Sequence, residues 1–196
     1  YSGNGAARTK ASPYYNWYEF YAWPESCRCW WGFKTLPEVN ENEPSYKKFI
    51  SGVLAHYAKL GITSWRLDVA DELPDDFIAF LRKTLKAIDP DSTLIGEVWE
   101  DASNKQGPCG RRKYVDGAEL DGVMDYPFRD ALVDFLLMRT DAAGLVLRLN
   151  ALRENYPEPF YLSSLTMLGS HDTVRIYTVL SGAPHRDALT REEQAR

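Results

Sequence analysis

Short apolar segments that alternate with amphipathic helices constrain the fold of this chain more than any other feature. Residues 62–68 and 93–98 are apolar nearly throughout, which is typical of strands covered on both faces. Apolar residues recur at helical spacing from Tyr46 to Leu60 and from Phe77 to Ile88. The pattern also predicts strands over residues 122–126 and 161–169, helices from Phe128 to Leu136 and over residues 142–154, and the start of a last helix before Arg196. Strands that alternate with helices predict parallel βαβ units.

This order of elements fits either a (β/α)8 barrel or an open doubly wound sheet. No glycine-rich phosphate loop follows any predicted strand, so the nucleotide-binding form of the open sheet is disfavoured. Residues 1–43 differ from the rest, because they are crowded with aromatic residues and have no sustained helical period. A loop of this length inside a compact domain is uncommon unless it is functional. Its rings either pack a small subdomain or offer flat faces to sugar rings.

The composition excludes several classes of function. The net charge is −5 and no block of basic residues is present, so no nucleic-acid partner is expected. No run approaches the roughly 18–20 apolar residues that a membrane helix needs. Cys27, Cys29 and Cys109 match neither a disulfide framework nor the spacing of zinc ligands. The chain starts at Tyr1 rather than at a methionine, which suggests a fragment and leaves the cellular compartment open, with a slight preference for the cytoplasm.

Acidic residues lie at or just after the ends of three predicted strands. Asp68 closes the first, Glu97 lies at the end of the second and Asp172 follows the third. In a parallel barrel the carboxyl ends of different strands meet on one face, where active sites are found. A single acid at such a position is most often a solvated surface group, but three in the same topological position indicate a site.

Hydrolysis of a glycosidic bond is the reaction that uses such a set most directly. It needs one carboxylic acid to protonate the leaving oxygen and one carboxylate to act on the anomeric carbon. Arg66 is two residues before Asp68 and therefore on the same side of the strand, where its charge favours an ionised nucleophile. The apolar neighbours of Glu97 in the sequence favour a protonated carboxyl group, which suits a general acid.

Two other kinds of hydrolytic site fit the sequence less well. His171 and Asp172 could bind a divalent ion together with Asp68 and Glu97, but the chain has three histidines and no closely spaced pair of them. A serine hydrolase needs an elbow such as Gly-x-Ser-x-Gly, which the sequence lacks. No metal site is therefore predicted.

These segments resemble the motifs of the α-amylase family of retaining glycoside hydrolases, glycoside hydrolase family 13. Residues 61–70 resemble its nucleophile region, residues 95–99 its acid/base region, and residues 168–172 the region of its third carboxylate. Leu-Pro-Glu-Val-Asn at residues 36–40 is similar to a motif that neopullulanase-like members carry near the end of their loop domain. Together with Trp-Trp-Gly at residues 30–32, it indicates relatives of neopullulanase and maltogenic amylase.

The resemblance implies a role for each acid. Asp68 would be the nucleophile that forms a β-glycosyl-enzyme, and Glu97 the acid that protonates the leaving oxygen and then activates water. Asp172 would bind hydroxyls of the distorted sugar and stabilise the transition state. The implied reaction is cleavage of α-glucosidic bonds in maltooligosaccharides, cyclodextrins or pullulan, with retention of configuration.

The resemblance also implies substrate-binding residues and partners. Arg66 would hold Asp68, His171 would bind the same sugar by a hydrogen bond, and Trp99 would line the leaving-group subsite. The expected partner is an α-glucan oligosaccharide or polysaccharide. No cofactor is implied for this chain, while calcium binding and a homodimer stay open for the full-length parent. A transglycosylase or isomerase of the same family and a non-catalytic binding or scaffold homologue remain alternatives.

The fold implied by the resemblance is α/β, a partial (β/α)8 TIM barrel that holds about strands four to seven. Residues 1–43 would form an irregular loop subdomain inserted after strand three, and residues 44–196 would form part of the catalytic barrel. The family's first motif, an Asp followed by an Asn-His pair at the end of strand three, is absent from the sequence. A complete barrel needs about 250 residues, so activity is expected of the full-length parent rather than of this piece alone.

Overall fold

The computed structural model describes residues 5–107 and 110–182 of the chain. Two predictions lie outside these residues: the helix that starts before Arg196, and any role of Cys109. The described chain forms two compact units, and each unit consists of two separate segments of the sequence. The proposed division of the chain between residues 43 and 44 stays a prediction.

The two units interleave along the sequence. The first runs up to Thr63 and resumes over Asp76–Ser92, and the second combines Ser64–Asp75 with the chain from Thr93 onward. The helix Asp75–Ile88 thus belongs almost wholly to the first unit, whereas the strands before and after it, Trp65–Leu67 and Leu94–Gly96, belong to the second.

An irregular segment with one small hairpin opens the first unit. Strand β1 (Phe20–Ala22) pairs antiparallel with β2 (Ser26–Cys27). The aromatic residues that are crowded here behave in two ways. Several rings pack against one another, and Tyr21 and Trp31 are largely exposed to solvent, although Trp31 also stacks on Trp30 with ring centroids 4.6 Å apart.

Two helices complete the first unit. Helix α1 (Pro44–Ala58) carries proline in its first turn, and the Glu43 side chain accepts a hydrogen bond from a main-chain amide of that turn. Helix α2 (Asp75–Ile88) buries an apolar face made of Phe77, Ile78, Leu81 and Leu85. The rings of Tyr46 and Phe77 stack with centroids 6.0 Å apart, so the two helices are in contact. Both helices lie where the apolar spacing predicts them.

The second unit contains a four-stranded parallel sheet. In chain order the strands of this unit are β3 (Trp65–Leu67), β4 (Leu94–Gly96), β5 (Gln106–Gly107), β6 (Gly110–Arg111), β7 (Gly122–Asp125) and β8 (Leu165–Thr166). The parallel sheet has the spatial order β3-β4-β7-β8, and β5 and β6 form a separate antiparallel hairpin. The parallel βαβ organisation predicted from the sequence is therefore confirmed.

The register of the sheet brings the carboxyl ends of its strands to one edge. Leu67 pairs with Gly96, and Gly96 in turn pairs with Val123. At the next boundary Asp125 pairs with Thr166. The strands are shorter than the apolar segments that predict them, so the acidic residues follow the strands instead of closing them.

Among the described residues, four helices accompany the sheet: α3 (Tyr126–Leu136), α4 (Ala142–Asn155), α5 (Glu158–Ser163) and α6 (Ile176–Ser181). Two of them begin at an aspartate whose side chain caps the helix. Asp125 accepts from the Phe128 amide at 3.0 Å, and Asp141 accepts from the Gly144 amide at 2.8 Å.

The strand predicted over residues 161–169 is wrong in its first part. Helix α5 continues to Ser163, and only Leu165–Thr166 is extended. A proline in the first turn favours the helix, and the buried Phe160 packs edge to face on Tyr156 with centroids 5.3 Å apart. Periodicity alone does not separate a short apolar strand from a short buried helix, so the apolar pattern could not assign residues 161–163 to a helix.

None of the helices in the described part of the chain combines the length and the apolar character needed to cross a bilayer.

Candidate active site

Asp68 and Glu97 follow two adjacent strands at matching positions. Leu67 ends β3 and pairs with Gly96, which ends β4. The Glu97 amide continues this ladder by donating to the Leu67 carbonyl at 2.9 Å. The two carboxylates therefore leave the same edge of the sheet from neighbouring strands, as their positions in the sequence predict.

A single arginine joins these two carboxylates. Arg66 lies in β3 and forms an ion pair with Asp68 through Nη1, while its Nη2 lies 3.0 Å from Glu97 Oε2. The Nε of the same group is 3.3 Å from Met124 Sδ on β7. Arg66 thus reaches across three strands, and its positive charge balances two acids where they come together. Its placement on the same side as Asp68 is as expected.

Glu97 is the buried member of the pair. Its side chain is 8% exposed, whereas the Asp68 side chain is 73% exposed. Glu97 Oε2 accepts from the Val69 amide at 2.7 Å, and Oε1 accepts from the Trp99 indole N–H at 3.1 Å. The surroundings of Glu97 are thus more polar than its sequence neighbours suggest, because Arg66 and Val69 reach it from the adjacent strand.

Backbone geometry on both strands allows this contact. Val69 has φ 45° and ψ 53°, a left-handed conformation that is rare for a β-branched residue. On the other strand, a Cβ added to Gly96 would lie 2.5 Å from the buried Leu120 and 3.3 Å from Ala70. Glycine therefore lets the chain pass close to these side chains immediately before Glu97.

Asp172 and His171 lie in the loop after β8, where both are exposed. Asp172 Oδ2 is 3.1 Å from His171 Nε2. The Asp172 amide donates to Ser170 Oγ at 3.2 Å, and the Ser170 hydroxyl is 3.0 Å from the Tyr126 hydroxyl. This loop is therefore connected to the first residue of α3.

Tyr126 connects the loop of Asp172 with the surroundings of Glu97. Its ring stacks on Trp99 with centroids 4.0 Å apart and planes 10° apart. Burial raises the pKa of the Tyr126 hydroxyl, its bond to Ser170 lowers that pKa, and the negative charges of Glu97 and Asp172 raise it. Both acids are thus close enough to act on one hydroxyl group.

The structure brings Asp68 and Glu97 each into direct contact with Arg66 and links Trp99 to Glu97 by a hydrogen bond. Asp172 is connected to them through intermediate side chains. Tyr126 was missed by the sequence analysis. Its position directly after β7, at the same edge of the sheet as the acids, is the signal that could have identified it.

Residues 5–107 and 110–182 contain no group of three or more His, Cys, Asp or Glu side chains arranged to hold a metal ion. Calcium binding by the full-length parent was left open by the sequence and stays open.

Comparison with known proteins agrees with this geometry. The model of the α-amylase catalytic domain matches residues 4–193 of the chain. Among curated proteins, the chain is 34% identical to an amylopullulanase of Thermoanaerobacter thermohydrosulfuricus, with 86% of this chain and 12% of that protein covered. It is 31% identical to neopullulanase 2 of Thermoactinomyces vulgaris, with 75% of this chain and 24% of that protein covered.

Among solved structures, a cyclic α-maltosyl-(1→6)-maltose hydrolase from Arthrobacter globiformis matches with a TM-score of 0.80 and 28% identity. The match covers 92% of this chain and 40% of that chain. The chain thus spans less than half the length of the relatives it matches. The parallel sheet with its helices corresponds to part of the (β/α)8 barrel of these proteins, which confirms the predicted fold class. On the family match and the identity to curated members, this chain belongs to the α-amylase family.

Proposed function

We propose that the protein carrying this chain is a retaining hydrolase of α-glucosidic bonds, in which Asp68 is the nucleophile and Glu97 the acid/base. The observation that carries the proposal is the contact of Arg66 with both acids. It sets two carboxylates from adjacent strands side by side at the edge of the sheet where active sites of this architecture are found.

The reaction would proceed in two displacements. In the first, protonated Glu97 gives its proton to the glycosidic oxygen as an Asp68 oxygen attacks the anomeric carbon, so the glycosidic bond breaks and a glycosyl-enzyme forms. In the second, the Glu97 carboxylate takes a proton from water, whose oxygen attacks the same carbon and releases Asp68. Two inversions at one carbon give net retention of configuration.

The different exposure of the two acids suits this division of roles. Asp68 is open to solvent on one side and paired with Arg66 on the other, as a nucleophile that must reach a sugar requires. Glu97 is buried, and three groups fix its two oxygens: the Arg66 guanidinium, the Val69 amide and the Trp99 indole. A fixed acid aimed at one oxygen of the substrate transfers its proton most effectively.

The substrate-binding roles rest on the residues around this pair. Trp99 is 44% exposed and offers an aromatic surface next to Glu97, which suits the leaving-group sugar. The exposed His171 and Asp172 offer a hydrogen-bond donor and acceptors, which suits sugar hydroxyl groups.

The substrate class follows from the relatives. Amylopullulanase and neopullulanase 2 are named for pullulan, and the related crystal structure is of a hydrolase of a cyclic maltosyl-maltose. We therefore propose α-glucans, namely maltooligosaccharides, cyclodextrins or pullulan, as substrates of the intact protein. No observation favours transglycosylation or a scaffold role over hydrolysis.

The test is hydrolysis of maltotetraose, a cyclodextrin and pullulan by the intact protein, with NMR detection of the first-formed anomer. Hydrolysis with the α-anomer formed first is expected. Glu97→Gln should lower kcat by about 1,000-fold, since removal of a general acid/base costs about 10²–10⁴ in rate. Glu100→Gln is the control, because Glu100 is exposed and pairs only with Lys105 among the contacts found for it. A β-anomer formed first, or full activity of Glu97→Gln, would contradict the mechanism.

A further inference from the structure

A buried arginine outside the carboxylate pair holds the turn that follows Asp68. Arg112 is 4% exposed, and its Nη2 donates to the carbonyl oxygens of Ala70 at 2.9 Å and Leu73 at 2.7 Å. These two carbonyls flank the single 3₁₀ turn Ala70–Glu72, which begins two residues after Asp68. Arg112 directly follows strand β6 and is far from Ala70–Glu72 in the sequence, so a long-range contact holds the turn.

Tyr114 extends this contact to the side chains of the turn. Its hydroxyl accepts from Arg112 Nε at 2.9 Å and donates to Asp71 Oδ1 at 2.8 Å. Lys105 lies 2.8 Å from the second oxygen of Asp71. The Tyr114 ring is fully buried, so its hydroxyl has little freedom to choose other partners. The remaining guanidinium nitrogen, Nη1 of Arg112, pairs with Asp75 at 2.5 Å.

The turn is next to the strained residue of the candidate site. Val69 directly precedes it in the left-handed conformation and donates its amide to Glu97 at 2.7 Å. The Ala70 amide is 3.3 Å from the Glu97 carbonyl. A left-handed conformation at a β-branched residue persists only where the surroundings fix it. The Arg112 contacts supply such a constraint, because they fix the carbonyls at both ends of the turn.

We propose that Arg112, with Tyr114, is a positioning residue for Glu97. It holds the turn in the one geometry that keeps Val69 left-handed and its amide aimed at Glu97 Oε2, and thereby fixes the acid against Asp68. The inference rests on the proposed hydrolytic function. Neither Arg112 nor Tyr114 touches the substrate in this account.

The test compares two neighbouring arginines in the intact protein. Arg112→Lys keeps the charge but cannot donate to two carbonyls, a hydroxyl and a carboxylate at once. We expect kcat on maltotetraose to fall about 100-fold, since misplacing a catalytic group by about 1 Å can have an effect of this size. KM should change less than about threefold, because the binding residues are untouched. Arg111→Lys is the matched control and should keep kcat within about twofold, since Arg111 is exposed and pairs with Asp116.

Two further measurements keep the inference testable if Arg112→Lys folds poorly. Tyr114→Phe removes one hydroxyl and keeps the ring, and it should lower kcat about tenfold with KM nearly unchanged. Hydrogen exchange of the Val69 amide should be faster in this variant than in the wild type, because the amide loses its fixed partner. A purely structural role would lower the melting temperature without this change in kcat at temperatures where the variant is fully folded.

The outcomes separate the two proposals. If the wild type hydrolyses α-glucans and the folded Arg112→Lys or Tyr114→Phe variant keeps its kcat and its slow Val69 exchange, the positioning role is overturned and the function stands. If the wild type shows no hydrolysis, or if Glu97→Gln is fully active, the proposed function itself is overturned.

Discussion

Asp68 and Glu97 are joined by Arg66, which reaches from one strand to the acid that follows the next, whereas Asp172 is held mainly by residues beside it in the chain. The first two, called here the strand pair, share Arg66 and follow strands that are paired residue by residue. Asp172 and His171, called here the loop pair, contact each other and follow a strand of only two residues. Arg66 and the Val69 amide have no counterpart among the contacts found for the loop pair.

This difference indicates different tasks. A nucleophile and an acid/base must meet one bond with their atoms placed to within fractions of an ångström, and cross-strand contacts provide that precision. Residues that bind sugar hydroxyl groups tolerate small displacements, since each hydrogen bond contributes about 0.5–1.5 kcal/mol. We therefore expect substitutions in the strand pair to affect kcat and substitutions in the loop pair to affect binding.

The largest effect among the supporting residues is expected at Arg66. Arg66→Met removes the charge that joins Asp68 and Glu97 and should lower kcat/KM by about 100- to 1,000-fold, as for the loss of a fixed electrostatic group in an active site. Steady-state kinetics on maltotetraose measure it. Arg148→Met is the control, because Arg148 also pairs with a carboxylate, Asp134, but on the helices α3 and α4. Equal losses of kcat/KM in both variants would show that the ion pairs of Arg66 matter no more for catalysis than an ion pair between two helices.

A buried acid close to Arg112, Glu119, gives the next effect, on stability. Burial and the charge of Asp75 raise the pKa of Glu119 from 4.5 to about 7, although Arg112 lowers it. The folded state therefore holds this proton more tightly than the unfolded state, and stability is lost as the pH rises from about 4.5 to about 7. Glu119→Gln should be about 3 kcal/mol more stable than the wild type at pH 8 and no more stable than it at pH 4.

Urea unfolding at both pH values measures this difference. Glu154→Gln, on the exposed side of α4, should leave the stability unchanged at both. A constant difference between Glu119→Gln and the wild type across the range would show that folding does not raise the pKa of Glu119. The result also concerns the strand pair, because Arg112 acts on the charge of Glu119 and also holds the turn after Asp68.

The smallest effect is expected in the loop pair. His171→Asn keeps a hydrogen-bond donor in a shorter side chain and should raise KM up to about tenfold with little change in kcat, since one hydrogen bond is weakened. Kinetics on maltotetraose measure this split. A large fall in kcat without a change in KM would show that His171 acts in the chemical step, as the strand pair does, and would contradict the division between the two pairs.

The sequence predicts the part of the site that follows from strand order. Asp68 and Glu97 could be found because alternating strands and helices predict a parallel sheet, and acids after such strands meet at one edge. Arg66 could be placed because residues two apart in a strand share a side. The family resemblance gave the roles, which geometry then supports as a proposal.

Other features depend on contacts between residues far apart in the chain. Arg112 reaches the carbonyl of Ala70, and Tyr126 links the loop of Asp172 to Trp99. The contact of Arg112 leaves no local pattern in the sequence, and the one signal for Tyr126 is its position at the end of the strand predicted over residues 122–126. The left-handed conformation of Val69 could not be predicted either, since valine favours an extended conformation. The misassigned segment from 161 to 163 shows the same limit for short apolar runs.

The nucleophilic role of Asp68 is the central claim, and trapping of the covalent intermediate tests it most directly. A fluorinated maltosyl fluoride that forms a glycosyl-enzyme faster than water removes it should label the intact protein with one sugar per molecule. Peptide mass spectrometry should then locate the label on Asp68. A label on Glu97 or Asp172, or complete turnover of the substrate by an Asp68→Asn variant, would contradict the account.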